Sequence, residues 1–375
     1  MQFAVSKQDF LAALLAVNRS AKSNVEILNT ICFKAEKNVL ALTTTDVELT
    51  LVSRVPSAEI AEEGEICLPM RQIVNLIKEL PEGKIELVTT GDVSAVINYN
   101  NSQVKLKGYP ADQFPALPDL SDVRAGFSLS QGLLKEIIRQ TAYAASADRA
   151  RLILTGVNFD LAGSQVTFVA TDMHRLAVKK VNLDVQQVLS VVVPERTLSE
   201  LARVLQNEIE TVKVAITGNM ISFGTKTAAV ISRLIAGQYP NYRTVIPNTF
   251  KAEVSFNRPD LADALARAMI LVEDVSVASF HFGEVSRLRM NTPSGSINEI
   301  LKAVYKGEPM EIYFNLKFLY EAVRAMPADE ITLYLTGPLG PAVFKPAGRE
   351  DCLALVLPAR PNEAGTEAGT AGKAA

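Results

Sequence analysis

The sequence offers little for catalysis or for metal binding. Its two histidines, His174 and His281, have no second histidine or cysteine at metal-ligand spacing. It contains no Walker loop and no GxGxxG motif, and His174-Arg175 is followed by Leu176, where a kinase-type loop requires aspartate. The carboxylates are scattered, as on any surface exposed to water. We therefore predict no catalytic residues, no metal site and no cofactor.

Cysteine is scarce as well. Cys32, Cys67 and Cys352 are odd in number and lie far apart in the chain. Such usage is typical of reduced cysteines in an intracellular protein. The first residues, MQFAVSKQDF, lack a basic segment followed by an apolar core, and no run of about 18 apolar residues occurs anywhere. We expect neither a secretory signal nor a membrane span.

The charges are nearly balanced, with 38 basic against 41 acidic residues and a net charge of −3. This balance argues against a protein that binds polyanions over its whole surface. It leaves room for a nucleic-acid surface, because binding depends on where the cations lie rather than on their total.

The most informative pattern is a segment that occurs three times. Its copies begin at Pro69, at Pro194, which is 125 residues later, and at Asn315, a further 121 residues on. In the second copy a proline opens the first turn, and Leu198 and Leu201 fall on one face of a helix. The third and the tenth residues of every copy are basic: Arg71 with Lys78, Arg196 with Arg203, and Lys317 with Arg324.

These matched cations have two interpretations. They are a solvated lysine and arginine face inherited from one duplicated ancestor, or they form a surface that presents positive charge with rotational regularity. A structural helix needs its apolar stripe repeated, but it does not need two cations at the same positions three times over. The second interpretation is therefore favoured.

A period of about 122 to 127 residues predicts three domains, because a fixed internal repeat defines the architecture. We place them at residues 1–122, 123–249 and 250–360, with boundaries at the proline-containing segments 115–123 and 247–251. Residues 361–375 are rich in Gly, Ala, Thr and Glu and carry no large apolar side chain. They are predicted to be a disordered tail.

Each domain reads as strand, helix and strands, twice over, so the chain could hold six half-size units. The first helices are predicted at Gln8–Ala16 with Ser6 as N-cap, at Leu133–Thr141, and at Pro259–Met269 with Asn257 as N-cap. Two long strand-like stretches are predicted at Val39–Val52 and Gln165–Val178. Strands outnumber helices and are joined by short turns, which predicts an α+β fold with antiparallel sheets and helices on one face.

Four segments carry a resemblance to a known family: TDMHRLA at 171–177, YPNYR at 239–243, VIP at 245–247 and VLPAR at 356–360. With the triplicated helix, they resemble the bacterial sliding clamp, the β subunit of DNA polymerase III, over residues 1 to about 360. The resemblance implies a three-domain clamp fold and a head-to-tail homodimer. Six similar domains would close a pseudo-sixfold ring around duplex DNA, with sheets outside and helices inside. Phosphate contacts carry no sequence information, so a bore lined by the repeated cations should slide along DNA.

The resemblance also implies site residues. The family's partner peptide pocket, carried over position by position, comprises Leu154, Thr171, His174, Arg175, Leu176, Pro240, Val245, Asn315, Phe318, Leu339, Val356, Leu357 and Pro358. An apolar cleft with a few polar groups suits a short extended peptide. Apolar candidates for the dimer interface are Leu106, Ile270 and Leu271. The alternative is that these three are ordinary core residues.

The resulting hypothesis is a replication processivity factor without chemistry of its own, acting in the cytoplasm at the nucleoid. Its expected partners are double-stranded DNA, a second copy of the chain, DNA polymerase III and other polymerases, a clamp loader, and repair proteins with short clamp-binding motifs. Two alternatives come from other classes. A scaffold that binds only proteins would use the same pocket without the basic surface, and an enzyme would use His174 as a base. His174 could also be a structural residue that holds a turn.

Overall fold

The computed structural model describes residues 1–18, 23–36, 38–91, 93–272 and 277–360. The predicted disordered tail, 361–375, lies outside the described residues. The chain forms two compact units. The first contains Met1–Leu134 and Arg196–Leu234, and the second contains Lys135–Glu195 and the chain from Ile235 onward.

The helices and strands of the first third of the chain are β1 (Gln2–Ser6), α1 (Lys7–Val17), β2 (Thr30–Glu36), β3 (Val39–Thr45), β4 (Leu49–Val55), β5 (Glu59–Glu62), β6 (Gly64–Pro69), α2 (Met70–Glu79), β7 (Lys84–Thr90), β8 (Ser94–Tyr99) and β9 (Ser102–Lys107).

Those of the middle third are β10 (Ala125–Ser130), α3 (Gln131–Thr141), β11 (Gly156–Ala162), β12 (Gln165–Thr171), β13 (Arg175–Asn182), β14 (Val188–Pro194), α4 (Glu195–Val204), β15 (Thr211–Ile216), β16 (Met220–Gly224) and β17 (Ala228–Arg233).

Those of the last third are β18 (Ala252–Asn257), α5 (Arg258–Met269), β19 (Val277–Phe282), β20 (Arg287–Thr292), β21 (Gly295–Ile300), β22 (Ala303–Lys306), β23 (Met310–Asn315), α6 (Leu316–Ala325), β24 (Glu330–Leu335), β25 (Ala342–Pro346) and β26 (Cys352–Val356).

The strands of the described residues form four sheets, and every pairing in them is antiparallel. The first unit holds a five-stranded sheet, β5-β1-β7-β8-β9, and an eight-stranded sheet, β10-β15-β16-β17-β4-β3-β2-β6. The second unit holds a nine-stranded sheet, β14-β11-β12-β13-β26-β25-β24-β18-β22, and a four-stranded sheet, β21-β20-β19-β23. The predicted α+β fold with antiparallel sheets is confirmed.

Two pairings join strands from different thirds of the chain. Strand β4 pairs with β17 in the eight-stranded sheet, and β13 pairs with β26 in the nine-stranded sheet. We call the pairing of β4 with β17, together with the turn before β4 and helix α4, the first junction. We call the pairing of β13 with β26, together with the turn before β13 and helix α6, the second junction. Apart from Glu195, which opens α4, the first junction lies in the first unit, and the second junction lies entirely in the second unit.

The two predicted N-caps are confirmed, and the three first helices begin one or two residues earlier than predicted, at Lys7, Gln131 and Arg258. The Ser6 hydroxyl accepts a hydrogen bond from the Asp9 amide at 3.1 Å, and the Asn257 side chain accepts one from the Asp260 amide at 3.2 Å. The proline of the repeated segment lies just before the helix and not in its first turn. Pro69 is the N-cap of α2, and Pro194 is the last residue of β14 rather than part of the helix.

Several predicted strands were wrong in extent. The stretches predicted as continuous at 39–52 and 165–178 are each two strands around a turn, with the second strand of each pair running on to Val55 and to Asn182. Strands β5, β21 and β22 were missed, because none of their residues is fully buried and their sequences give no clear apolar period.

Two of the three cysteines are neighbours in the fold although they are far apart in the chain. Cys32 on β2 lies directly opposite Cys67 on β6, whereas Cys352 opens β26 in the other unit. None of the three forms a disulfide in this structure. A separation of 35 residues in sequence becomes direct contact because β2 and β6 are paired.

Candidate functional site

The six repeated cations lie on α2, α4 and α6, and all six side chains are exposed. Each helix buries the opposite stripe, for example Ile73 and Ile77 on α2, and Leu198 and Leu201 on α4. The basic residues are thus directed away from the core, as the spacing predicted. Their local environments nevertheless differ from one helix to another.

The two cations of α4 are engaged by other parts of the first unit. Arg196 forms an ion pair with Asp46, in the turn between β3 and β4, at 2.6 Å. Arg203 pairs with Glu200 on its own helix at 2.7 Å and donates to the carbonyl oxygens of Leu15 and Asn18 at 2.6 and 2.8 Å.

These carbonyls belong to the end of α1, which has no basic residue in its last turn. The last carbonyls of a helix lack intrahelical partners and carry partial negative charge. Arg203 therefore supplies the cation that α1 lacks, and it fixes α4 against α1. Neither arginine of α4 is a free cation.

The cations of α2 and α6 are available. Within the described part of the chain, Arg71, Lys78 and Lys317 form no ion pair. Arg324 lies over the ring of Tyr320, 5.4 Å from its centroid, and remains exposed. These four residues present positive charge that the fold does not neutralise.

The motif TDMHRLA forms a tight turn between β12 and β13. One carboxylate oxygen of Asp172 accepts hydrogen bonds from the amides of His174 and Arg175, at 2.9 and 3.0 Å. Met173 takes a positive φ of 77°, which is uncommon outside glycine. The hydroxyl of Thr171 donates to the carbonyl of Arg175 at 2.6 Å. The turn thereby holds His174 at the surface and directs Arg175 inward.

Arg175 organises the second junction. Its guanidinium is largely buried and forms ion pairs with Asp172, at 2.9 Å, and with Glu321 on α6. It also lies over the Phe318 ring, 4.5 Å from the centroid. The His174 ring stacks near the same phenylalanine at 6.2 Å. Phe318 is therefore fixed by a cation–π contact and a ring contact, each of which is worth of order 1 kcal/mol.

The end of β26 completes this site. Val356 lies opposite Arg175, and the amide of Leu357 donates to the carbonyl of His174 at 2.8 Å. Leu357 is exposed and Pro358 is half-buried, so both can contact a ligand. Val356 is fully buried in the core around α5 and α6. It supports the site from behind.

The remaining predicted pocket residues fall into three groups. Asn315 caps α6 by accepting from the Phe318 amide at 3.2 Å, which positions that ring. Leu154 and Leu176 are buried. Pro240, Val245 and Leu339 are exposed, so all three stay candidates for contact with a ligand.

Sequence reasoning missed two residues of this site. Asp172 lies in the motif TDMHRLA, and an aspartate that can accept from the backbone amide two residues later is a recognisable Asx-turn signal. Glu321 gave no signal, because it lies 146 residues from the arginine with which it pairs.

The first junction repeats the backbone of the second. One carboxylate oxygen of Asp46 accepts from the amides of Glu48 and Leu49, at 3.1 and 2.8 Å, and Val47 takes the same positive φ of 77°. The amide of Arg233 donates to the carbonyl of Glu48 at 2.9 Å, as Leu357 does to His174. The two junctions are thus structural equivalents, although their side chains differ.

A cluster of charged side chains fills the interior of the second junction. Lys179, only 1% exposed, forms ion pairs with Glu136 at 3.0 Å and Asp351 at 2.7 Å. Arg349 pairs with the same two carboxylates at 3.3 and 2.7 Å. The hydrogen bond from Arg349, opposed by burial and reinforced by Lys179, holds the pKa of Asp351 well below its usual range. Burial alone would raise the pKa of Glu136, but Lys179 and its neighbours outweigh it and lower that pKa.

The apolar dimer candidates occupy different environments. Leu106 is half-buried on β9, the edge strand of its sheet. Ile270 follows α5 and is 81% exposed. Leu271 packs against the core formed by α5 and α6.

No group of three or more metal-ligating side chains occurs among the described residues. In the same part of the chain, every helix is too short or too polar to cross a membrane.

Three similar helices that expose paired cations, on antiparallel sheets that join successive thirds of the chain, are features of the DNA clamp class. Comparison with known proteins tests this assignment. Family models for the N-terminal, central and C-terminal domains of the DNA polymerase III beta subunit match residues 1–118, 128–241 and 243–360.

Curated relatives match this chain over nearly its whole length. The beta sliding clamp of Staphylococcus epidermidis is 31% identical over 96% of this chain and 99% of the relative. The beta sliding clamp of Bacillus subtilis is 29% identical over 96% of this chain and 100% of the relative. The chain belongs to the DNA polymerase III beta subunit family, the beta sliding clamps.

Solved structures agree on the fold. The crystal structure of the Bacillus subtilis sliding clamp has a TM-score of 0.90 at 29% identity, covering 96% of this chain and 99% of that one. The beta subunit of Streptococcus pyogenes has a TM-score of 0.90 at 28% identity, covering 96% and 100%. The chain has the clamp fold and is a sliding clamp of DNA replication.

Proposed function

We propose that the chain is a processivity factor that encircles duplex DNA as a ring-shaped, head-to-tail homodimer and tethers DNA polymerases through a peptide pocket. Each protomer contributes three clamp domains, at 1–122, 123–249 and 250–360. The observation that carries the proposal is the set of exposed cations at matching positions on three repeated helices of a chain that belongs to the sliding-clamp family.

DNA contact is assigned chiefly to Arg71, Lys78, Lys317 and Arg324, the cations that the fold leaves unpaired. Arg196 and Arg203 contribute less, because their charge is shared with acidic groups and carbonyls of the first unit. Such contacts bind phosphate without reading base edges, so the protein slides instead of selecting a sequence.

Ring closure is assigned to the edges of two sheets. Strands β9 and β21 each end a sheet in the order of the described strands. Unpaired strand edges are ready to pair with another chain. Leu106 lies on β9, and the highly exposed Ile270 follows α5, so both supply apolar surface for the homodimer. Leu271 supports the interface from the core.

Partner proteins bind at the second junction. Phe318, His174, Leu357 and Pro358 offer apolar surface beside the polar groups of the turn. A short peptide with a leucine and a phenylalanine would bury enough apolar area for a few kcal/mol before ordering costs, which corresponds to about micromolar affinity. DNA polymerase III, other polymerases, the clamp loader and repair proteins with short motifs are the proposed ligands.

The role requires no chemistry from this chain, so we assign it no enzymatic activity and place it in the cytoplasm at the nucleoid. A scaffold that binds only proteins would have the same pocket but would not be retained on circular DNA.

Retention on circular DNA tests the proposal. The full chain, loaded by its clamp loader onto nicked circular DNA, should co-elute with the circle and be lost when the circle is cut. Ile270→Asp should give a folded monomer that is not retained, whereas Leu271→Ala should lower stability without opening the ring. Equal binding to circular and linear DNA, with the mass of a monomer, would refute the ring.

A further inference from the structure

Two cysteines of the first unit lie face to face. Strands β2 and β6 pair from Thr30 opposite Pro69 to Ala35 opposite Gly64, which places Cys32 directly opposite Cys67. Directly opposite residues in an antiparallel pair direct their side chains to the same side of the sheet. The two thiols are therefore neighbours.

The backbone shows which kind of pair this is. The amide of Cys67 donates to the carbonyl of Tyr109 at 3.1 Å, and the amide of Tyr109 donates to the carbonyl of Cys67 at 2.8 Å. Both backbone groups of Cys67 thus point away from β2, so Cys32 and Cys67 are a non-hydrogen-bonded pair. Such pairs have Cα atoms about 4.5 Å apart, within the range that a disulfide spans.

The thiols differ in access and in acidity. They are hydrogen-bonded to each other, with Cys32 partly exposed and Cys67 fully buried. The hydrogen bond from Cys67 lowers the pKa of Cys32, against the opposing effects of burial and of Glu65. The same hydrogen bond, together with burial, raises the pKa of Cys67. Cys32 is therefore the attacking thiol, and Cys67 is placed to resolve the product.

We propose that Cys32 and Cys67 are a reversible modification site, at which a peroxide converts the pair to an intramolecular disulfide. The Cys32 thiolate attacks hydrogen peroxide, breaks the O–O bond and becomes a sulfenic acid, with release of hydroxide. The Cys67 sulfur then attacks the sulfenic sulfur and releases water. In total two thiols lose two protons and two electrons, and one peroxide becomes two waters.

Conversion of the Cys32 thiolate to a neutral sulfenic acid removes a lesser influence that raises the pKa of Cys67, the negative charge of Cys32, and so favours the second step. Thiol reductants of the cell would reverse the reaction, which makes the disulfide transient under reducing conditions. The cross-link would join β6 to β2 immediately before α2, the helix that carries Arg71 and Lys78. This inference is independent of the proposed clamp function.

Mass spectrometry of the full-length protein tests the site. After treatment with hydrogen peroxide, non-reducing peptide maps should show a linked pair of peptides containing Cys32 and Cys67, lighter by two hydrogens and restored by a thiol reductant. Cys32→Ser should abolish the link. Cys67→Ser should leave a sulfenic acid on Cys32 that dimedone traps.

Cys352 is the matched control. It is a buried single cysteine, and burial raises its pKa to about 11, so Cys352→Ser should leave the cross-link unchanged. Three free thiols after oxidation of the wild-type protein would overturn the proposal. So would a sulfinic acid on Cys32 beside a free Cys67, or a link between separate chains. The wild-type map decides the matter even if a serine variant fails to fold.

Discussion

The two junctions of this chain share a backbone and differ in what their side chains do. In both, an aspartate holds a turn with a positive φ, and the strand that follows pairs with a strand from the next third of the chain. The second junction places Arg175 on that turn, where it pairs with Asp172. The first junction has Leu49 at this position, and Asp46 takes Arg196 from α4 instead.

This difference at the turn determines which helix cations form ion pairs within the fold. Because Arg175 satisfies the turn of the second junction, Lys317, the equivalent of Arg196 in the repeat, has no ion-pair partner among the described residues. The first junction uses its helix arginine for its own structure. A single difference on a shared backbone frame therefore separates a cation that holds the fold from one that stays exposed on its helix.

The exposed sides of the junctions differ in the same way. His174 and Leu357 of the second junction correspond to Glu48 and Arg233 of the first, which form an ion pair at 4.0 Å. Phe318 corresponds to Thr197, whose hydroxyl is hydrogen-bonded to that of Ser232 at 2.7 Å. Of the two junctions, only the second places an aromatic ring beside an apolar strand end.

Below the surface, the second junction is filled where the first is open. Lys179, Glu136 and Asp351 correspond by strand register and helix position to Ser53, Ala12 and Thr227. These three small residues line a cleft of about 450 Å³ in the first unit. The charged cluster and the cleft occupy equivalent places.

Copying the first junction into the second should have the largest effect on stability. Lys179→Ser would leave Arg349 as the one cation that pairs with both carboxylates in the described part of the chain, and removing one member of a buried ion network costs about 3 kcal/mol. The free energy of unfolding of the second unit, measured by urea titration, should fall by about that amount. Lys180→Ser, at the exposed neighbouring lysine, is the matched control. Equal losses in both variants would contradict the role of the cluster.

Exchanging the aromatic position should have the next largest effect. Phe318→Thr removes the ring that His174 and Arg175 hold, and about 10- to 100-fold weaker binding of a short leucine- and phenylalanine-containing peptide is expected. Calorimetry of the full chain measures this affinity. The reciprocal variant, Thr197→Phe, should leave it unchanged. Undiminished binding by Phe318→Thr would place the pocket elsewhere.

Acid should weaken the second unit in particular. The folded state lowers the pKa values of Asp351 and Glu136, so their stabilising contribution is complete above the ordinary carboxyl pKa of about 4 and is lost as the pH falls below it. The urea midpoint of the second unit should therefore decrease from about pH 5 downward. Asp351→Asn should lower stability at neutral pH and flatten this dependence. An unchanged slope in that variant would separate the cluster from the acid response.

Much of this organisation follows from local sequence signals. Caps such as Ser6 and Asn257, the period of the helices and the positions of the six cations depend on residues close together in the chain. The partners of those cations do not. Arg196 and Asp46 lie 150 residues apart, and no local pattern predicts that one arginine pair would be used by the fold while the others remain free.

The same limit applies to the pocket. The turn that holds His174 is encoded in the five residues from Thr171 to Arg175. Its assembly with Phe318 and Leu357 depends on the register of β13 and β26, which are paired across the sequence. The resemblance to a family identified these residues, and the sequence period alone would not have distinguished the second junction from the first.

The salt dependence of DNA binding tests the central distinction most directly. Each phosphate contact contributes about 0.9 to the slope of log K against log salt concentration, so Arg71→Ala with Lys78→Ala should flatten the slope by nearly two. Arg196→Ala with Arg203→Ala should flatten it by clearly less than one, because those side chains are engaged within the first unit, and should lower the stability of that unit instead. Slopes measured on the same nicked circular DNA, with folding checked by circular dichroism, give the comparison. Equal flattening by the two double variants would contradict the account.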